Sequence, residues 1–227
     1  MGTYNAAEWL VDRHVAAGDG ERVAIRCRGV STTYADVQRE LWRTQHALAA
    51  LGVGTGDRVA LVLDDDESFA SWFLGALRAG VVPVPLSTML TAAELGPIVA
   101  DAQSRVVVVA DTHLDALPGI LAVAPDVRDV VVTGGAGAPD LAGVTVHEDH
   151  GVTDSDEVPV ADTSPESSAF WLYSSGTTGV PKGVMHVHGS PQATAETYAR
   201  QVLGITSDDR CVSIAKLFFA YGLGNSL

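Results

Sequence analysis

Between Tyr173 and Gly183 the chain reads YSSGTTGVPKG, a stretch rich in groups able to hold an anion. Ser174, Ser175, Thr177 and Thr178 offer hydroxyls, while Gly176, Gly179 and Gly183 lack a Cβ and let backbone N–H groups come close to a ligand. Successive N–H groups in a tight turn make a concave anion site, and Lys182 adds a mobile point charge. Polyphosphate suits such a loop. The P-loop of nucleoside triphosphatases is excluded, because Pro181 precedes the lysine and Gly183 follows it, where that motif needs Gly and then Ser or Thr. From the residues alone, a flexible surface loop stands as an equal alternative.

A second stretch, Lys216 to Asn225 (KLFFAYGLGN), sets three aromatics among small residues. Composition alone makes it a buried strand entering a turn. Lys182 and Lys216 are the only two lysines of the chain, and each falls in one of these stretches. Other features carry less. His186 and His188 would share one face of a strand, but no third ligand is near them in sequence, so no metal site is expected. The run Asp64 to Glu67 lacks the glycine and the distal glutamate of a calcium loop and reads as a strand-to-helix turn with an N-cap. No GxSxG elbow is present, which removes support for a hydrolase.

The run YSSGTTGVPKG resembles the signature loop of the adenylate-forming superfamily, which includes acyl-CoA synthetases, adenylation domains of peptide synthetases and luciferases. The resemblance implies that Ser174, Ser175, Gly176, Thr177, Thr178, Gly179, Lys182 and Gly183 bind ATP, with Lys182 and Thr177 in catalytic roles as pyrophosphate departs. The segment KLFFAYGLGN is similar to the corresponding motif of benzoate-CoA ligases, whereas most relatives outside that subgroup carry histidine where Phe219 stands. By this likeness Ala220, Tyr221 and Gly222 would line an acid pocket and Phe219 would support them. The implied reaction joins a carboxylate oxygen to the α-phosphorus of ATP with loss of pyrophosphate, after which the thiol of coenzyme A displaces AMP. ATP, Mg²⁺ and coenzyme A are then the implied cofactors, and benzoate or a similar aryl carboxylate the implied substrate. Two alternatives stay open: a truncated non-catalytic module that binds nucleotide or protein, and an adenylation domain that feeds a carrier protein. In this superfamily a large N-terminal domain precedes a small C-terminal one, and the resemblance covers roughly the first half of the large domain. It implies that the groups holding ribose and Mg²⁺, and a C-terminal catalytic lysine, are not among these 227 residues, and that the isolated chain is inactive.

The elements that must carry these loops are legible as an alternation. Residues 6–17 have helical spacing, Val23 to Arg28 alternates as a strand, and Thr33-Tyr34 opens an amphipathic helix bearing Val37, Leu41, Leu48 and Leu51. Val59 to Leu63, Val81 to Leu86, Arg105 to Ala110 and Asp129 to Thr133 are apolar runs of strand length, as expected of strands covered on both faces. Helices fall between them over Phe69 to Ala79 and from the capping box Thr91-Ala-Ala-Glu94 to about Gln103. The spacing predicts further strands at Ala169 to Tyr173 and Cys211 to Ala215, and a helix over Thr194 to Leu203. The fold class is therefore α/β, with layered mixed, largely parallel sheets flanked by helices.

Residues 148–168 are acidic and poor in large apolar groups, which predicts a first subdomain over 1–150, an acidic linker over 151–168, and the start of a second subdomain over 169–227. The final GLGNSL shows no cap or tail, so the chain is expected to stop inside a domain. A formal charge of −14 argues against nucleic acid and anionic membrane surfaces as partners. No apolar run reaches bilayer-spanning length, and Cys27 and Cys211 stand far apart without ligand spacing, so a reducing cytoplasm is the expected location.

Overall fold

The computed structural model describes residues 2–135, 137, 139–149, 156–175 and 181–227; Gly176, Thr177, Thr178 and Gly179 of the expected phosphate loop lie outside that set. Helix α1 runs over Glu8–Asp12 with π-type bonding and continues as Arg13–Ala16. A small antiparallel hairpin follows, β1 (Val23–Cys27) and β2 (Val30–Thr33). Thr33 then caps α2 (Tyr34–Ala50): its hydroxyl accepts the Asp36 N–H while the Asp36 carboxylate accepts the Thr33 N–H, satisfying two amides that the first helical turn leaves unpaired. The next elements alternate as β3 (Arg58–Val62), α3 (Glu67–Arg78), β4 (Val82–Pro85), α4 (Ala92–Asp101) and β5 (Val106–Ala110). A 3₁₀ turn over Asp111–Ala116 leads into α5 (Leu117–Leu121), β6 (Asp129–Thr133) and β7 (Thr145–Glu148).

Strands β3 to β7 form one all-parallel sheet in the order β4-β3-β5-β6-β7. The valine runs seen in the sequence exist because this sheet is covered on both sides. Val59, Leu61, Val106, Val108 and Val131 join the core under α2 and α3, whereas Ala60, Val62, Val107, Val109, Val130 and Val132 join the core under α4 and α5. Successive residues of one strand thus serve opposite layers. Each large apolar side chain buried in this way, such as Trp72, Phe73, Leu61 or Ile120, contributes about 1.5–3 kcal/mol relative to exposure.

Beyond the sheet, β8 (Ser168–Ser175) and β9 (Pro181–Val187) form an antiparallel hairpin, and β8 lies against β4 at the sheet's edge. Ala169, Phe170 and Leu172 belong to the same core cluster as α2 and α3. The described part of the acidic segment is held along the helices: Gln45 Nε2 donates to the Pro159 carbonyl at 3.2 Å, and the Ala161 N–H to the Arg78 carbonyl at 3.0 Å. Last come α6 (Gly189–Thr194, continuing as a π-type turn over Ala195–Ala199) and α7 (Ala220–Gly224).

Three sequence expectations are corrected. The helix expected over Thr194 to Leu203 starts earlier, at Gly189, with Pro191 in its first turn where a missing N–H costs nothing, and its regular part ends by Ala199. Cys211 to Ala215 forms no strand; Val212 and Ile214 are 87% and 97% exposed, and strand propensity without a ladder partner does not make a strand. Lys216 to Asn225 is a turn followed by α7 in place of a strand entering a turn. Helix α5 and strand β7 carried no clear sequence signal and appear only in the structure.

Candidate functional site

The phosphate-type loop springs from the β8–β9 hairpin. Register pairs Ser175 with Pro181, Ser174 with Lys182 and Tyr173 with Gly183, so the ladder runs up to the residues on either side of 176–180. Because side chains alternate across a strand, Phe170, Leu172 and Ser174 on β8 share a face with Lys182, Val184 and His186 on β9. Ser174 and Lys182 are both exposed at the loop end of that face. Trp171 and Tyr173 occupy the other face, packed against the core beneath α4. There the Tyr173 hydroxyl donates to Asp101 Oδ2 at 2.5 Å, and its pKa is raised, first by burial and then by that carboxylate. A Cβ on Gly183 would stand 3.1 Å from the Tyr173 ring, so a glycine there lets the phenol lie flat across the hairpin. The hydroxyl–carboxylate bond thereby ties the root of the loop to the C-terminal end of α4.

The Ser174–Lys182 face looks into a cleft of about 510 Å³ bounded by α1, the hairpin, α6 and α7. Trp9, His14, Phe170, Leu172, His186 and Ala220 are among its lining residues. The His186 ring stacks on Phe170 with centroids 4.6 Å apart and 7° between planes, and burial lowers its pKa, which favours the neutral ring. The cleft has the size of an organic ligand site, apolar with a few polar groups.

Of the four residues expected at an acid pocket, the structure brings Ala220 into the cleft and buries Gly222. Phe219 is 45% exposed, with its ring edge-on to Phe218 at 4.6 Å, and Tyr221 is 76% exposed outside the cleft lining. Gly222 is sterically required: a Cβ there would lie 2.0 Å from the Lys216 carbonyl oxygen. That carbonyl also accepts the Phe219 N–H at 3.1 Å, closing the segment into a compact turn.

The sequence predicts a solvated strand-to-helix turn with an N-cap over Asp64 to Glu67, and the structure shows that cap and adds long-range contacts that the pattern does not reveal. Asp66 is the N-cap of α3, accepting from the Ser68 and Phe69 amides. Asp64 accepts from Thr112 and contacts His113 at 3.1 Å; these bonds outweigh the opposing effect of burial and hold its carboxyl below the ordinary range. Asp65 Oδ1 accepts the Leu217 N–H at 3.1 Å, and Asp65 Oδ2 lies 3.4 Å from Lys216 Nζ. No local pattern could have found that contact, which links positions 152 residues apart.

His188 is fully buried, with Nδ1 accepting the Ala6 N–H at 3.1 Å, which places the ring proton on Nε2. Among the described residues, no group of three or more His, Cys, Asp or Glu side chains is placed to hold a metal, and no helix is long and apolar enough to cross a membrane.

Over residues 12–227 the chain matches the family model described as AMP-binding enzyme. It is 43% identical over 226 residues to a 4-hydroxybenzoate–CoA/benzoate–CoA ligase of Rhodopseudomonas palustris, covering 99% of this chain and 41% of that protein. To a benzoate–CoA ligase of Thauera aromatica it is 40% identical over 225 residues, again 99% of this chain and 42% of the relative. The crystal structure of the anthranilate CoA ligase AuaEII in complex with anthranoyl-AMP superposes with a TM-score of 0.89 at 29% identity, over 98% of this chain and 42% of that one. A benzoate CoA ligase from Burkholderia xenovorans LB400 gives a TM-score of 0.83 at 32% identity, with the same coverage. The chain therefore spans about two fifths of the length of the relatives it matches.

Proposed function

The chain belongs to the AMP-binding enzyme family, and on that premise we propose that the complete protein is an ATP-dependent aryl-carboxylate–CoA ligase acting on benzoate or a close relative of it. The observation that carries the reading is the placement of Ser174 and Lys182 on the same hairpin face that lines the cleft containing Ala220. A polyphosphate held at the loop end and a carboxylate held in the cleft would then meet on one side of the hairpin. The names of the relatives support the choice of an aryl acid.

In this reading the loop residues Ser175, Gly176, Thr177, Thr178, Gly179 and Gly183 hold the β- and γ-phosphates together with Ser174 and Lys182. The carboxylate oxygen forms a bond to the α-phosphorus as the bond to the bridging oxygen breaks, so pyrophosphate leaves with the electron pair. Lys182 and the loop donors, Thr177 among them, offset the negative charge that grows on that leaving group, a kind of electrostatic help that needs donors fixed before the reaction starts. The CoA sulfur then bonds to the acyl carbon and AMP departs. Ala220 leaves room for a flat ring and Gly222 keeps closed the turn that carries it, while Phe219 and Tyr221, outside the cleft lining here, would complete the pocket only in the complete protein. Among the described residues no cluster of His, Cys, Asp or Glu is placed to hold Mg²⁺. The division at residues 151–168 and a cytoplasmic location belong to the same proposal.

The test is carboxylate-dependent exchange of pyrophosphate into ATP by the complete protein, with benzoate, 4-hydroxybenzoate, acetate and a long-chain fatty acid compared. Benzoate or its hydroxy derivative is expected to give the highest kcat/KM, and Lys182→Ala to lower exchange by about 100-fold or more. Preference for acetate or a fatty acid would overturn the aryl assignment, and exchange unaffected by Lys182→Ala would overturn the role of the loop. The isolated 227-residue chain is expected to give no thioester.

A further inference from the structure

We propose that Asp65, far from the loop in sequence, is the positioning residue of the acid-binding segment, acting through Lys216 and Leu217; this rests on the ligase reading above. Asp65 follows β3, the strand between β4 and β5 in the parallel sheet. Its two carboxylate oxygens are divided between neighbours: Oδ1 takes the Leu217 N–H at 3.1 Å, and Oδ2 faces Lys216 Nζ at 3.4 Å. Its own backbone carbonyl accepts the Cys27 thiol at 3.8 Å, so β1 steadies the turn from the other side. Asp66 capping α3 and Asp64 bound to Thr112 and His113 fix the flanking residues.

From this anchor the geometry propagates in a few bonds. Lys216, held by Asp65, presents its carbonyl to the Phe219 N–H and stands where any Cβ at position 222 would strike it. The Leu223 N–H in turn bonds the Phe219 carbonyl at 2.8 Å. The location of Ala220 relative to the cleft is thus set by where residues 216 and 217 are pinned together with the burial of Phe218 and Leu223 on either side of it. Asp65 and Leu217 line a cavity of about 360 Å³ that shares Leu223 with the larger cleft. Val212 and Ile214, just before the anchored residues, are almost wholly exposed, which leaves this carboxylate as a major constraint on how the segment enters its turn. A hydrogen bond to a charged acceptor is also stronger and more directional than a neutral one.

The experiment compares Asp65→Ala with Asp65→Asn in the complete protein. Asparagine keeps an oxygen for the Leu217 N–H but loses the charge that faces Lys216, so its rise in acid KM is expected to fall between wild type and Asp65→Ala. Losing a bond to a charged group predicts a rise of about tenfold or more in KM for the aryl acid in Asp65→Ala, with KM for ATP changed less than about twofold. Hydrogen exchange at residues 217–223 should be faster in Asp65→Ala. Equal rises in both KM values, an unchanged acid KM, or unchanged exchange would each overturn the proposal. If Asp65→Ala does not fold, Asp65→Glu, one methylene too long, replaces it with the same expected split. A wild-type protein that activates no carboxylate would instead bring down the ligase reading and the positioning role with it, while the exchange data would still report on the anchor itself.

Discussion

Lowering the pH from 7.5 to 5 probes how deeply His188 is committed to its neutral form. Burial lowers its pKa from 6.5 to about 4, and Nδ1 is already occupied by the Ala6 N–H. The unfolded chain therefore takes up a proton at His188 below pH 6.5, whereas the folded chain resists until about pH 4. Stability from this group is fully present above 6.5 and is lost as the pH falls between those two values. Each pH unit in the window costs about 1.4 kcal/mol, which amounts to about 2 kcal/mol by pH 5 and at most about 3.4 kcal/mol when the window is crossed completely. The perturbation is His188→Asn, whose side-chain oxygen can still accept the Ala6 N–H but cannot be protonated. Urea unfolding followed by tryptophan fluorescence at pH 7.5 and pH 5 gives four free energies. The variant should be less stable at pH 7.5 because it is smaller, yet should lose about 2 kcal/mol less than wild type on acidification. His14 and His186, whose pKa values are also lowered by burial, are present in both proteins and cancel in the difference. Equal acid sensitivity in the two proteins, to within about 0.5 kcal/mol, would refute the reasoning.

Two further perturbations test the scaffold. Arg78 is buried between helices, with Nε 2.8 Å from Asp12 Oδ2 and a second nitrogen on Gln45, so Arg78→Ala strands a poorly exposed carboxylate and should cost about 3–5 kcal/mol in urea unfolding at unchanged m-value. A loss below about 1 kcal/mol would place the pair among ordinary surface bridges. Gly222→Ala drives a Cβ into the Lys216 carbonyl and should destabilise by about 1–3 kcal/mol, with faster hydrogen exchange confined to residues 216–224; a variant indistinguishable from wild type in both would show that the turn is looser than its geometry implies.

The amino-acid sequence by itself determined the layers of the fold and the donor groups that the segment 173–183 carries. Valine runs of strand length, the periodic apolar face of α2 and the caps at Thr33, Asp66 and Thr91 are local signals, because backbone amides and alternating faces are satisfied within a few residues. The hydroxyls, glycines and lysine of residues 173–183 are legible as groups able to hold an anion, since residue type supplies donors and a positive charge, while their use on polyphosphate belongs to the proposal. What the sequence could not state is which side chains share a face or a partner across long separations. Cys211 to Ala215 had strand propensity, but a strand exists only where a neighbour accepts its ladder, and Val212 and Ile214 are left exposed. The aromatic motif became a turn and a short helix because Lys216 closes on Gly222, and its anchor lies at Asp65, on the far side of the parallel sheet's sequence. Tertiary structure alone decided that Phe170, Leu172, His186 and Ala220 line one cleft and that Ser174 and Lys182 lie on the same hairpin face, since that follows from hairpin register and helix docking, which are properties of packed surfaces and not of neighbouring residues.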